Sequence, residues 1–372
     1  MKHVDEYRDG DLAKAIAATI ASEATGASYR FMEFCGGHTH AIARYGIEDL
    51  LPRSVRMIHG PGCPVCVLPI GRIDEAIALS KLPKVTLCTY ADLMRVPASK
   101  GQSLMRAKAE GADIRMVYST LDAIEIAKAE PGREVVFFAL GFETTTPPTA
   151  LAIRMAQKLG LGNFTVFCNH VLTPSAITAI LATDDEVKLD GFVGPAHVST
   201  IIGTKPYTPY AEEYGKPVVV AGFEPLDVLQ AILMLVRQVN DGRHEVENQY
   251  VRAVTPTGNE KAQAEVAAVF DLRDSFEWRG LGAIPNSALK LRKEFESFDA
   301  EVRFDVTRIT ASDNPACECG TILRGLKRPA ECRLFGTACT PDSPMGSCMV
   351  SSEGACAAQW TYGRFRQLEK AS

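Results

Sequence analysis

Eleven cysteines are distributed unevenly along the chain, and their grouping frames the chemistry it could perform. Six of them, Cys317, Cys319, Cys332, Cys339, Cys348 and Cys356, crowd into a tail rich in loop-forming residues such as Pro329, Pro341, Pro344, Gly346 and Gly354. Thiolates are soft donors that hold zinc or iron–sulfur clusters, and four suffice for either. Two thiols more than a closed zinc site uses favour a [4Fe–4S] cluster with an adjacent dithiol. A zinc-stapled tail is the alternative, because the tail carries neither C-x-x-C pairs nor a cluster signature.

Three further motifs lie upstream. In Gly60-Pro-Gly-Cys63-Pro-Val-Cys66 the second half opens a helix, which sets a thiol beside free backbone N–H groups and suits a redox thiol or a metal ligand. In Phe34-Cys35-Gly36-Gly37-His38-Thr39-His40 the glycines let backbone approach a ligand, Cys35 is a soft donor, and the histidines can ligate metal or move protons. A His-x-His after a strand also suits a metal-dependent hydrolase, for which only His170 and His197 remain as further ligands. In Gly141-Phe142-Glu143-Thr144-Thr145, Glu143 is either a general acid or base or a cap on the helix that follows. Cys88 and Cys168 sit within apolar runs and read as buried, inert thiols. Neither a GxxxxGK[ST] loop nor GxGxxG is present, nor is the C-x3-C-x2-C of radical S-adenosylmethionine enzymes.

These motifs need elements to hold them. Short runs rich in β-branched and aromatic residues at 30–34, 85–89, 114–118, 135–140, 164–168, 191–194 and 218–221 alternate with helical patterns at 72–82, 121–130, 149–159, 174–182 and 225–239. Strands alternating with helices predict an α/β fold with mostly parallel sheets, whose ligands bind beyond the carboxyl ends of the strands. The expected layout is a helix within 1–30 (Leu12, Ile16, Ile20) packed on the C-terminal part, α/β domains at 31–130 and 131–245, and a small Cys-rich iron–sulfur subdomain at 246–372. Leu140-Gly-Phe-Glu143 against Ala221-Gly-Phe-Glu224, and Gly60-Pro-Gly against Gly194-Pro-Ala, hint at an internal duplication. A chain of 372 residues with 46% apolar residues can build two or three cores, and a net charge of −5 gives no reason to expect nucleic acid. Acids stand where a secretory signal would have its apolar core, and no run is long enough to span a bilayer, so the expectation is a cytoplasmic protein whose thiols serve metal or redox chemistry.

Taken in order, Cys-Gly-Gly-His-Thr-His at 35–40, Gly-Pro-Gly-Cys-Pro-Val-Cys at 60–66, Gly-Phe-Glu-Thr-Thr at 141–145 and the tail ending Ser-Ser-Glu-Gly-Ala-Cys at 351–356 resemble the HypD family of NiFe hydrogenase maturation proteins. The resemblance spans nearly the whole chain. It implies a scaffold for assembling an iron that carries cyanide and carbon monoxide, Fe(CN)2CO. The implied partners are a HypC-type chaperone, as a heterodimer, and a HypE-type cyanide donor. By motif, Cys35 would ligate that iron, Cys63 and Cys66 would be iron ligands or a redox dithiol, and His38 and Glu143 would line the site. For the [4Fe–4S] cluster the resemblance is read onto Cys319, Cys332, Cys339 and Cys356, with Cys317 and Cys348 as a redox pair able to relay electrons to Cys63 and Cys66. Exchanging Cys317 for Cys319 gives an equally plausible set. The competing enzyme reading is an iron–sulfur protein-disulfide reductase without a mononuclear iron; a docking platform with a merely structural cluster is the non-catalytic one.

Overall fold

The structure is a computed structural model that describes residues 5–25, 28–182 and 187–364. Nine strands build its two main sheets: β1 (Tyr29–Glu33), β2 (Val55–His59), β3 (Val85–Thr89), β4 (Ile114–Met116), β5 (Glu134–Gly141), β6 (Phe164–His170), β7 (Gly191–Gly194), β8 (Val218–Val220) and β9 (Val246–Asn248). Every pairing in both sheets is parallel, as the alternation of strands and helices predicts. The first sheet runs β2-β1-β7-β8-β9 and the second β4-β3-β5-β6. Helices cover both faces, which is why β5 and β6 are buried almost end to end and read as unbroken apolar runs.

Strand membership departs from the expected split near residue 130. The whole second sheet is inserted between β2 and β7 of the first, so residues on both sides of 130 share one sheet. The cause is pairing: β3 and β5 share a register from Val85↔Glu134 to Cys88↔Phe137, a partnership that linear reading cannot see. Counted within each sheet, the strand orders are 2-1-3-4-5 and 2-1-3-4, so a doubly wound topology does occur twice. The short sequence matches do not mark it, because Leu140–Glu143 follows the third strand of its sheet and Ala221–Glu224 the fourth of its own.

Two strands escaped the reading by apolar runs. β2 is an edge strand that carries Arg56 and His59, and β9 is a three-residue edge, so neither forms such a run. The N-terminal helix, Gly10–Glu23, is capped by Asp9 and buries Ala13, Ala17 and Ile20 while Leu12 points to solvent. It packs on the helix Pro225–Asn240 rather than on the C-terminal part, because its small alanines allow close approach there. Glu23 pairs with Arg237 at 2.8 Å, and Asn240 donates to the Glu23 carbonyl at 2.9 Å.

After residue 260 come a helix, Glu260–Val269, and two small antiparallel pairs, β10 (Phe270–Leu272) with β13 (Leu289–Leu291) and β11 (Ser275–Trp278) with β12 (Gly282–Pro285). β13 lies against β6, where the Cys168 thiol donates to the Leu289 carbonyl at 3.3 Å. Cys88 and Cys168 are both fully buried, as expected. Among the described residues no helix is long and apolar enough to cross a membrane.

Arg72 locks these parts together. On the helix Ile70–Ser80, its guanidinium lies 4.1 Å from the Phe167 ring centroid, donates to the Cys168 carbonyl at 3.1 Å, pairs with Glu75 at 2.7 Å, and also pairs with Glu301. Removing one partner of a buried ion pair leaves the others uncompensated, at a cost of about 3–5 kcal/mol. Arg72→Ala should therefore lower the unfolding free energy measured by urea titration by that order while Glu75 and Glu301 remain; a change below ~1 kcal/mol would show that the network is not what binds the C-terminal part to the second sheet.

Candidate functional site: a thiol cleft between two sheets

In a doubly wound sheet a crevice opens at the carboxyl ends where the strand order reverses. In the first sheet that point lies between β1 and β7, followed by Phe34-Cys35 and Pro195-Ala196-His197. In the second it lies between β3 and β5, followed by Tyr90-Ala91-Asp92 and Phe142-Glu143-Thr144. The insertion makes the two crevices face each other across one cleft of about 370 Å³. Its walls include Cys35, His197, Asp92 and Thr145, with Gly62 and Pro64 from the C-x-x-C loop and Ser351-Ser352-Glu353 from the tail.

Cys35 is the N-cap of the helix Gly36–Tyr45. Its Sγ lies 3.7 Å from His197 Nδ1 and faces the backbone amides of Gly37 and His197. Burial, then the charge of Glu353, pushes the thiol up to about 12 against those amides. Without a cation beside it, the sulfur keeps its proton at neutral pH. Burial, then the nearby charge of His38, holds His197 below the ordinary histidine value, so it is a neutral base. Burial likewise raises Glu353 to about 7, with Asp92 and Glu33 adding to the effect.

A buried carboxylate fixes the turn that carries Cys35. Glu33 Oε2 accepts the Cys35 N–H at 2.9 Å, while Oε1 accepts the Thr39 hydroxyl and meets His59 Nδ1 at 2.9 Å. Burial opposes charge on His59, but the Glu33 hydrogen bond and carboxylate outweigh it and raise the imidazole pKa. The glycines have steric work here: a Cβ on Gly36 would fall 2.3 Å from Glu353 Cβ, and one on Gly62 would fall 2.4 Å from the Cys35 nitrogen. Gly36 N–H donates to the Gly62 carbonyl at 2.9 Å, so the two cysteine motifs interlock through backbone.

Cys63 and Cys66 are joined as a disulfide, with Cα atoms 5.2 Å apart, and both are buried. Cys63 caps the single turn Pro64–Val67. On the far side of that turn, Ser347 Oγ donates to the Cys66 carbonyl at 3.1 Å and stands 3.9 Å from Cys319 Sγ. There Cys317, Cys319, Cys332, Cys339, Cys348 and Cys356 all line one apolar cavity with Ile322, Leu334, Phe335 and Met349. Cys319 contacts both Cys317 and Cys348.

The donor set fits an iron–sulfur cluster. Six soft thiols share a dry cavity, and the buried Arg279 supplies a positive charge close to Cys317, Cys319 and Cys348. Arg279 holds the Val67 and Leu68 carbonyls and Asp313, yet its Nη2 is buried without a partner among the described residues, as suits a neighbouring anionic group. Burial pushes the Cys339 and Cys356 thiols up, so a metal would displace protons there. Among the described residues no three His, Cys, Asp or Glu side chains already stand in a metal-holding arrangement. The thiols line the cavity walls.

Of the expected site residues, only Cys35 lines the cleft itself; Cys63 and Cys66 lie behind its loop, and His38 and Glu143 are turned to structural partners. His38 is fully buried, and its Nε2 lies 3.0 Å from the carbonyls of both Ala221 and Gly222, fastening the cysteine-bearing helix to the end of β8. Glu143 accepts the Thr173 N–H at 2.9 Å and its hydroxyl at 3.0 Å. It therefore caps the helix Thr173–Ala182 rather than the helix Thr146–Leu159 that follows it. His40 turns to Tyr362, 3.4 Å away, so the two histidines of His-x-His do not converge. Sequence reasoning missed His197, Glu353 and Asp92 as partners of Cys35. His197 carried a signal in the strand-end turn Gly194-Pro-Ala-His, and Glu353 lay within the tail motif Ser-Ser-Glu-Gly-Ala-Cys, whereas Asp92 carried none.

Comparison with known proteins adds family membership to this geometry. The HypD profile, described as "Hydrogenase formation hypA family", matches residues 11–363. A hydrogenase maturation factor HypD of Rhizobium leguminosarum is 72% identical over 373 residues, covering 99% of this chain and 97% of that protein. HypD of Cupriavidus necator is 66% identical, covering 99% of both chains, and HypD of Escherichia coli is 46% identical, covering 97% and 98%.

Burial pushes the Glu143 carboxyl up to about 7, against the opposing pull of its hydrogen bonds. Its ordinary value is ~4.3, so between those values the folded state binds more protons than the unfolded one, and stability falls as pH rises through the window. Glu143→Gln keeps an acceptor for Thr173 without the charge. Thermal melts at pH 5 and pH 8 should show the variant gaining on the parent at the higher pH; equal pH dependence of the two would mean that Glu143 is ionised in the fold.

Proposed function

The chain belongs to the HypD family of hydrogenase maturation factors, and from that membership we propose that it is the scaffold on which the Fe(CN)2CO unit of a NiFe hydrogenase is put together. The observation that carries this reading is the position of Cys35, a buried thiol at the meeting point of two strand-end crevices with a neutral imidazole 3.7 Å away. Iron is the cargo here. As the metal approaches Cys35, His197 Nδ1 takes the thiol proton, and the thiolate gains the cation that its buried setting lacks. Glu33 and the interlocked Gly62 loop hold Cys35 in place, so ligand exchange on the iron does not displace the sulfur.

Glu353 on the cleft wall is placed to hand a proton to an incoming ligand, its carboxyl raised to about 7 by burial. Cyanide would arrive from a HypE-type donor, and a HypC-type chaperone would share the iron. The Cys63–Cys66 disulfide lies in the loop whose Gly62, Pro64 and Val65 line the cleft, and its Cys66 carbonyl accepts from Ser347 beside Cys319, so it would suit a two-electron thiol store between the two sites. Cys319, Cys332, Cys339 and Cys356, with Cys317 and Cys348 beside them, would hold the [4Fe–4S] group. That cluster, when bound, supplies low-potential electrons one at a time. A reductase acting on a partner's thiols would need its dithiol exposed, whereas Cys63 and Cys66 are 3% and 0% exposed.

Oxygen-free protein purified with its chaperone should show infrared bands of iron-bound cyanide and carbon monoxide. Cys35→Ala should abolish them while about four irons per chain remain. Cluster iron without such bands in any sample would move the assignment to a redox protein that carries no mononuclear iron.

A further inference from the structure

A second cavity, of about 240 Å³, lies on the other side of the first sheet's edge, between β2 and the tail. Six basic side chains, Arg30, Arg56, His59, Lys188, Lys327 and Arg328, line it against the single acid Glu48. Lys327 is engaged by Glu318, and Arg328 reaches Glu48 at 3.7 Å. Arg30, Arg56 and Lys188 have no acidic partner among the described residues. In a chain with a net charge of −5 such a concentration is unusual.

Strand register sharpens the point. Arg30 and Arg56 are Cα partners across the β1–β2 pair, so their side chains leave the same face of the sheet at the ~4.8 Å strand spacing. Like charges held opposite one another destabilise a sheet unless something neutralises them. Two neighbouring guanidiniums and an ammonium around a small concave site match an oxyanion that accepts several charge-assisted hydrogen bonds.

We propose that this pocket binds a small phosphate-class anion, clamped between Arg30 and Arg56 on the sheet edge, Lys188, and the tail segment that carries Lys327 and Arg328. The pocket's volume suits a phosphate or pyrophosphate group. Its occupant would tie the cysteine-bearing tail to the first sheet, because Gly325–Ala330 and Gln359 supply the opposite wall. His59, which lines the pocket, lies two hydrogen bonds from the Cys35 amide by way of Glu33. The assignment is independent of the maturation reading.

The test is calorimetric titration of the full chain, in phosphate-free buffer, with inorganic phosphate, pyrophosphate, ADP and an oligo-aspartate peptide, alongside hydrogen exchange of 325–330. Saturable one-to-one binding of pyrophosphate is expected, with exchange slowed at 325–330. Arg56→Gln and Lys188→Gln, both solvent-exposed positions, should each weaken it about tenfold, whereas Lys158→Gln, a remote charge change, should not. ADP binding more tightly than pyrophosphate would identify a nucleotide as the carrier of the phosphate, and equal or weaker binding would identify the free ion. No saturable binding, equal weakening by Lys158→Gln, or a preference for the peptide would each overturn the assignment.

Discussion

The constraint on which the site depends is topological: parallel strands need a crossover, and this chain places an entire second sheet inside one crossover of the first. Each sheet then presents a crevice at its own point of strand reversal, and the insertion turns the two crevices toward one another. Neither crevice alone brings a thiol, an imidazole and two carboxyl groups together. Cys35 and His197 come from the first sheet, Asp92 from the second, and Glu353 from the tail that closes the gap.

Desolvation sets the chemistry within that frame. The cleft raises Cys35 and Glu353 and lowers His197, so the thiol and the imidazole beside it rest uncharged. A positively charged guest reverses the balance for the sulfur, because a thiolate beside a cation is no longer an isolated buried charge. In the tail cavity Arg279 places a fixed cation close to Cys319 and Cys348, whose thiols stay above the ordinary value despite its pull. Both sites therefore keep these thiols buried and their pKa values raised rather than exposing reactive thiolates to solvent.

Precision at Cys35 comes from Glu33. A carboxylate with no solvent exposure is costly unless its lone pairs are filled, and Glu33 fills them with the Cys35 amide, the Thr39 hydroxyl and His59. The same bonds that satisfy the buried acid fix the turn between β1 and the cysteine helix. His38 works from the opposite end of that helix's first turn, where its ring meets Phe223 at 4.9 Å between centroids and Phe223 in turn meets His197 at 4.2 Å. A histidine legible as a ligand thus acts by holding the helix, and the histidine beside the sulfur comes from another strand end.

By itself the sequence determined the alternation of buried strands and amphipathic helices, the convergence of the six tail cysteines, the placement of Cys35 at a strand end, and the burial of Cys88 and Cys168. Those properties follow from local periodicity, glycine sterics and the softness of sulfur, all of which act over a few residues. Tertiary structure alone decided which strands pair, that one sheet lies within the other, that Glu143 caps a helix thirty residues away, that His197 and Glu353 rather than His38 stand beside Cys35, and that Arg30 and Arg56 share a face. Each of these depends on contacts between distant segments, and parallel pairing leaves no mark on the turn or spacing of either strand.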